Sequence, residues 1–384
     1  MMKTIKVGII GAGFMGTAHL ENLRRIPGIE VKAIADIKPE NAKILADKFG
    51  ISQVYENWRE LVNNPEIDVL HNCTPNYLHF EINKAAILAG KAIISEKPLT
   101  NIVAESEELV KLAREKKILT AVNFNYRNYP IIQHARQLIV SGKLGEIFLA
   151  HGHYLQDWLI YPEDYNWRVD PEMGGNSRAM ADIGSHWCDL VQFITGQRII
   201  EVFADLVIIH KSRRKPQSDV ATFKGKEVTP DSTQCITVKT EDAGAVLFRL
   251  EKGGHGVFNV SQVSAGYKNG FDIAIDGSQM SLAWKQEEPN QLWLGYRDKA
   301  NQILVKDPAL LEADSRSFAH YPGGHPEGYP DTFKNLFLNF YTALRTGKLA
   351  IHEQNFPTFE AGLQENRIVE AVLKSHQEKR WIKV

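Results

Sequence analysis

Glu96-Lys97-Pro98 places an ammonium group directly after the apolar run Lys91-Ala-Ile-Ile-Ser95. Such a run reads as a buried central strand, and the carboxyl end of such strands is where open α/β sheets bind ligands. A lysine there can polarise a substrate oxygen or relay a proton; it can also be a plain surface lysine in a strand-to-helix turn. Further along, Asp182 and His186 lie four residues apart in Asp182-Ile-Gly-Ser-His186-Trp-Cys-Asp189, so a helix puts both on one face. Ile183, Trp187, Leu190 and Ile194 form an adjacent apolar stripe that should face a core. At the edge of that face a carboxylate can orient an imidazole, and an imidazole titrates near neutrality and can serve as an acid or base. An ordinary ion pair on a helix surface has the same spacing.

A third stretch, Gly11-Ala-Gly13-Phe14-Met15-Gly16, matches G-x-G-x-x-G. It follows a predicted strand (5–10) and opens a predicted helix (15–25), the context that gives the motif a mechanism. Gly11 permits the tight turn, Gly13 lets backbone approach a pyrophosphate, and Gly16 lets helix pack on strand. The helix N-terminus offers unpaired N–H groups to the phosphates. Asp36, 20 residues after Gly16, ends the next strand (29–36). A carboxylate there accepts hydrogen bonds from ribose hydroxyls and repels a 2′-phosphate, so NAD is expected over NADP, with Lys38 nearby as the one opposing charge.

These stretches need elements to hold them. Strands at 5–10, 29–36, 69–73, 92–96 and 119–123 alternate with helices at 15–25, 40–49, 77–89 and 101–116, which predicts right-handed crossovers and a parallel sheet covered on both faces. After residue 125 the rhythm changes. A helix (131–140) and a strand (146–155) lead into an aromatic-rich loop, then a helix (181–195). Strands follow at 199–210, 233–240, 244–250, 256–262, 271–276, 279–284 and 291–296. Consecutive strands with short turns predict an open, mostly antiparallel sheet. The stretch 321–330 reads as a loop, and two helices close the chain. The expected fold is thus α/β: an N-terminal Rossmann domain over 1–125, then an α+β domain over 126–384 with a large open, mostly antiparallel sheet.

Composition agrees. The chain has 384 residues, 43% hydrophobic and 24% charged, an ordinary globular balance. Forty-five basic against 46 acidic side chains leave a charge of −1, with no positive field to hold nucleic acid. The run Lys211-Ser-Arg-Arg-Lys215 reads as a solvated loop. Cys73, Cys188 and Cys235 are too few and scattered for a disulfide framework or zinc site and suit a reducing cytoplasm. Cys73 has no adjacent cation to activate it as a nucleophile. His151 and His153 share one strand face but read as a packed or solvated pair, so no metal is expected. No apolar stretch approaches the ~20 residues of a spanning helix, and the first apolar run is too short and glycine-rich for a secretion signal. A cytoplasmic location is expected, with no membrane partner.

Glu96-Lys97-Pro98, the amino-terminal fingerprint and Asp182-x-Gly-x-His186 together resemble the Gfo/Idh/MocA family of nicotinamide-dependent oxidoreductases. The resemblance extends over nearly the whole chain. It implies a Rossmann domain followed by a domain whose open sheet often forms dimers and tetramers. It further implies that Lys97, Asp182 and His186 form the catalytic set, with the proton acceptor left open between His186 and Lys97. Cofactor contacts are implied at Gly11, Gly13, Phe14, Met15, Gly16, Asp36, Thr74-Pro75-Asn76, His79, Glu96, Lys97, Asn123 and Trp167-Arg168. Substrate contacts are implied at Lys97, Asn125, Arg127, Asp182, His186 and His325, the last in Gly-Gly-His325-Pro-Glu-Gly-Tyr329. Asn176 stands where many members carry a third glycine.

The implied activity is oxidation of a secondary hydroxyl of a cyclic polyol or sugar (an inositol, aldose, glycoside or anhydrosugar), within carbohydrate metabolism. The family fold also serves NAD-dependent glycosidases that recycle the hydride internally, and non-enzymatic co-regulators that sense dinucleotide. Retention of Lys97, Asp182 and His186 argues against a sensor.

Overall fold

The computed structural model describes residues 4–216, 233–347 and 355–384. The chain divides into two compact units: Met1–Asn125, Glu172–Gly175 and Pro330–Asn366 form the first, and Tyr126–Pro171, Asn176–Tyr329 and Arg367–Val384 the second. The sequence reading breaks the chain at 125/126 and leaves everything after it in one piece. The first unit also takes back residues near the C-terminal end, because the helix Tyr329–Thr346 brings Phe333, Phe337 and Phe340, all fully buried, to its core.

The first unit is built on a parallel sheet of six strands: β1 (Ile5–Ile10), β2 (Ile29–Ala35), β3 (Gln53–Tyr55), β4 (Val69–Asn72), β5 (Ala92–Ser95) and β6 (Thr120–Val122). Their order is β3-β2-β1-β4-β5-β6. β1 pairs with β2 on one side and β4 on the other, so the winding reverses there and leaves a crevice at the strand carboxyl ends. β4, β5 and β6 are buried throughout; the near-continuous apolar run foretells this for β5, while β4 also buries the polar His71 and Asn72. β3 and the helix Trp58–Asn63, capped by the Asn57 side chain, were not legible as elements.

The second unit holds a mixed, mostly antiparallel sheet of nine strands. In chain order these are β7 (Ile147–Leu155), β8 (Ile199–Val207), β11 (Ala243–Leu250), β12 (His255–Ser261), β13 (Gly270–Gly277), β14 (Ser281–Lys285), β15 (Gln291–Gly295), β16 (Gln302–Val305) and β17 (Ile382–Lys383). Their spatial order is β16-β15-β14-β13-β7-β12-β11-β8-β17, and β7·β12 is the parallel pair. The helices Pro130–Val140 and Ser185–Thr195 pack on this sheet, Trp187 stacking on Phe258 at 4.5 Å. The predicted stripe Ile183, Trp187, Leu190, Ile194 is buried in that core.

One expectation is overturned. Residues 211–215 are not a solvated loop: β9 (Ser212–Pro216) pairs with β10 (Thr233–Thr237) in a separate two-stranded sheet. Arg213 turns inward, donating to the carbonyls of Leu159, Tyr161 and Asp164 and to Asp242 Oδ1 at 2.8 Å. Asp242 also pairs with Arg178 and accepts the N–H groups of Ile209 and His210. A run of charges was read as solvent-facing because its buried counter-ion is distant in sequence.

His151 and His153 lie beside Asp276 (3.4 Å) and Asp272 (3.8 Å) on a partly exposed sheet face. Among the described residues no group of three His, Cys, Asp or Glu side chains is placed to hold a metal, and no helix is long and apolar enough to cross a membrane.

Burial holds His71, His79 and His134 below the usual imidazole pKa of 6.5, His71 well below it. Below pH 6.5 the unfolded chain binds protons that these folded imidazoles refuse, so stability is present above that pH and is lost as pH falls. The expected loss is up to about 1.4 kcal/mol per pH unit per histidine. Thermal melts at pH 7.5 and 5.5 check this, and unchanged transitions would refute it.

Candidate active site

In the first unit, the fingerprint loop connects β1 to the helix Phe14–Leu23. Gly11 has φ +99°, and a Cβ on it would lie 2.6 Å from the Cys73 carbonyl oxygen, so loop and β4 end touch backbone to backbone. A Cβ on Gly16 would sit 1.9 Å from Gly11 O, which is how closely helix meets loop. At Gly13 a Cβ would meet nothing within 4 Å. That open cradle above backbone N–H groups fits a bound pyrophosphate. Gly16→Ala is therefore expected to lower stability by about 1–3 kcal/mol and to lose dinucleotide binding. Gly13→Ala should leave the melt unchanged and weaken NADH binding. Melting curves and fluorescence titration with NADH separate the two.

Phe14 is half exposed at the helix start, followed by the half-buried Met15. Asp36 closes β2; its Oδ2 accepts the Ala12 N–H at 2.7 Å and its Oδ1 that of Lys38 at 2.8 Å. The carboxylate is thereby fixed beside the fingerprint loop, where ribose hydroxyls can use its remaining lone pairs.

After β4, Thr74 Oγ1 donates to Asn72 Oδ1 at 2.7 Å, and Pro75 leads into the turn Asn76–Leu78. Asn76 Nδ2 donates to Gly174 O at 3.2 Å. His79, fully buried, lies between the carbonyl oxygens of Pro98 (2.7 Å) and Thr74 (2.9 Å), tying the β4 and β5 ends together. Burial pushes the Cys73 thiol well up, with the Glu96 charge adding to it, so it is no nucleophile.

Glu96 follows β5 directly and Lys97 comes next, its backbone N–H donating to Glu96 Oε2 at 3.2 Å. Glu96 Oε1 accepts from His19 Nε2 at 2.9 Å and from Asn123 Nδ2 at 2.5 Å. Burial works to raise the Glu96 carboxyl pKa, but the His19 hydrogen bond first, then the neighbouring charges and the Asn123 amide, outweigh it and bring it below the usual value. Asn125 Nδ2 donates to Thr332 Oγ1 at 2.7 Å.

In the second unit, Met180–Gly184 winds as a π-helix before Ser185–Thr195 continues as α-helix, where the sequence predicts one α-helix over 181–195. Such turns recur at functional sites. Asp182 lies in this turn, with Oδ1 accepting from Arg168 Nε at 3.2 Å and Oδ2 from Gln262 Nε2 at 2.8 Å. Arg168 also lies over the Trp167 ring (4.4 Å) and donates to Asn166 Oδ1. The Trp-Arg pair thus fixes Asp182, which no motif foretells.

His186 packs against Tyr126 with ring centroids 4.8 Å apart. Tyr126 belongs to a closed ring of hydrogen bonds: its OH donates to Tyr154 OH (2.8 Å), Tyr154 OH to Asn269 Oδ1 (2.6 Å), and Asn269 Nδ2 back to Tyr126 (3.1 Å). Burial pushes both phenols up, Tyr154 well up, so they remain neutral donors. Arg127 is engaged by Asp189, which receives both Nε (2.8 Å) and Nη2. His325 is exposed, its Nδ1 3.2 Å from Gly323 O. Its loop is not irregular filler: buried Lys306 donates to the carbonyls of Tyr321, Pro322 and His325 and pairs with buried Glu327 at 2.8 Å. Tyr154, Asn269, Gln262, Lys306 and Glu327 were missed in the sequence because each is recruited from a distant strand or loop.

Residues 5–124 match the model described as "Oxidoreductase family, NAD-binding Rossmann fold", and residues 132–283 the GFO/IDH/MocA C-terminal domain. The chain is 31% identical over 306 residues to levoglucosan dehydrogenase of Pseudarthrobacter phenanthrenivorans, covering 77% of each. A solved levoglucosan dehydrogenase in complex with NADH and levoglucosan superposes with a TM-score of 0.88 at 28% identity, covering 100% of both chains. An inositol dehydrogenase homologue from Azotobacter vinelandii, complexed with NADH and myo-inositol, gives 0.86 at 25% identity, covering 100% of this chain and 98% of that one. The chain therefore belongs to the Gfo/Idh/MocA family of NAD-binding oxidoreductases.

Proposed function

We propose that the enzyme oxidises a secondary hydroxyl of a cyclic polyol or sugar, an inositol, aldose, glycoside or anhydrosugar, to the ketone. The observation that carries this is the lysine at the end of β5, in a sheet whose fingerprint loop leaves an open cradle at Gly13. When bound, NAD+ supplies the hydride acceptor. Lys97 hydrogen-bonds the reacting oxygen, His186 accepts the hydroxyl proton, and Asp182 orients the imidazole. Asp182 suits that role because Arg168 and Gln262 occupy both its oxygens and fix its plane. The neutral phenol–amide ring of Tyr126, Tyr154 and Asn269 beside His186 suits a hydroxyl-rich ligand. The relatives named for levoglucosan and inositol support the same substrate class. A homo-oligomer and a cytoplasmic setting belong to this proposal.

The test is NADH formation with NAD+ and a panel of inositols, aldoses, methyl glucosides and levoglucosan. Turnover on one of them identifies the class. No NADH from any, with dinucleotide binding intact, refutes the reading. Sugar release from a glycoside without NADH accumulation would identify a hydride-recycling glycosidase instead.

A further inference from the structure

Beneath the dinucleotide edge of the first unit runs a buried chain of side chains: Tyr341 OH lies 2.8 Å from His71 Nε2, His71 Nδ1 2.8 Å from His19 Nδ1, and His19 Nε2 2.9 Å from Glu96 Oε1. Tyr341, His71 and His19 are fully buried. A carboxylate oxygen can only accept, so His19 must present Nε2–H to Glu96. If His19 is neutral, its Nδ1 accepts from His71 Nδ1–H, and His71 Nε2 accepts the Tyr341 hydroxyl proton. Every polar hydrogen in the chain then has a partner. A charged His19 reverses the two upper bonds and strands the buried tyrosine hydrogen, which is costly. The chain therefore donates in one direction, from Tyr341 to Glu96. It ends in a buried phenol, so it is no route for protons to solvent.

Glu96 Oε1 also receives Asn123 Nδ2 at 2.5 Å. The amide is thereby forced to present nitrogen to Glu96 and to keep oxygen for something else. Asn123 is 1% exposed, and its Oδ1 has no hydrogen-bond partner among the described residues. An orphaned buried acceptor at the end of β6 calls for a donor, and among the parts of NAD the nicotinamide carboxamide offers an N–H.

We propose that Tyr341, His71 and His19 are positioning residues that hold Glu96 as a one-sided acceptor, and that this orients Asn123 Oδ1 to accept the carboxamide N–H of the nicotinamide. The proposal rests on the dinucleotide reading of the first unit. It does not depend on which substrate is oxidised.

The test measures binding alone, on the full chain. NADH is compared with its reduced 3-acetylpyridine analogue, which keeps the carbonyl and lacks the N–H, and with ADP-ribose, which lacks the ring. The wild type should bind NADH about 10-fold more tightly than the analogue, the loss of one hydrogen bond to an otherwise unpaired buried acceptor. Glu96→Gln gives Asn123 a neighbour able to donate as well as accept. It should bring the ratio to within about two-fold, as both amide orientations become satisfied. Tyr341→Phe removes the first donor and the direction of the chain, and should lower the ratio to an intermediate value. ADP-ribose affinity should hold in both variants.

Equal binding of NADH and analogue by the wild type would overturn the Asn123 assignment. A ratio unchanged in both variants would overturn the relay, and so would parallel losses of NADH and ADP-ribose. If Tyr341→Phe does not fold, the wild-type and Glu96→Gln ratios still decide. Failure of the substrate panel leaves these binding ratios standing, so the two readings fail separately.

Discussion

Replacing Lys97 with alanine is expected to lower kcat/KM on the identified polyol or sugar by about 10²- to 10⁴-fold, the range associated with removing a positioned acid–base group. NADH affinity should change little, because the fingerprint loop, Asp36 and Asn123 are untouched. The lysine backbone is anchored by Glu96 Oε2, so the variant deletes the ammonium group without loosening the strand end. Lys97→Arg should fail to restore activity, since a planar guanidinium cannot place one donor where an ammonium did. Steady-state kinetics beside an NADH titration decide the matter. A variant retaining more than a tenth of wild-type turnover would remove Lys97 from the catalytic set and leave the burden on His186.

The largest expected loss of stability comes from Asp242→Ala. Asp242, Arg178 and Arg213 have no exposed side-chain surface. Burial acts to raise the Asp242 pKa, but the Arg178 charge and hydrogen bonds from Arg178, His210 and Arg213 bring it below its usual value. Alanine would leave two buried guanidinium groups facing one another, and the N–H groups of Ile209 and His210 without their acceptor. Breaking a buried pair in this way costs about 3–5 kcal/mol. Urea unfolding should show a lower midpoint with an unchanged slope. A shift equivalent to less than about 1 kcal/mol, the scale of a surface pair, would mean that water reaches the cluster.

What the sequence disclosed follows the range over which each signal acts. The fingerprint, Glu96-Lys97-Pro98 and the stripe around Trp187 are local, and the structure places each on its expected element. Short pieces with no full period escaped notice: the three residues of β3, the six of Trp58–Asn63 and the two of β17. Misread or missed charges have partners far along the chain. Arg213 finds Asp242 across 29 residues, and Lys306 finds Glu327 across 21. His19, His71 and Tyr341 carry no motif at all, and Tyr341 meets His71 across 270 residues. For Arg127, Arg168 and Asn125 the residue type was informative, but the partner was not: an arginine reads alike whether it awaits a ligand or holds Asp189.

The strand order of the second sheet also bears on how the chain must be made. β7 sits between β12 and β13, yet about 100 residues separate its end from the start of β12. At about 5–20 residues per second, β7 waits roughly 5–20 s on the ribosome before either neighbour exists. Phe148 and Leu149 lie on that waiting strand. The first unit meets the same delay. Its six strands are complete by Val122, but the helix carrying Phe333, Phe337 and Tyr341 begins about 200 residues later. Neither unit can close its core until these later segments are made, so the nascent chain carries two unfinished cores at once. Translation speed and holding chaperones, rather than the stability of the finished enzyme, should set how much of it is recovered folded.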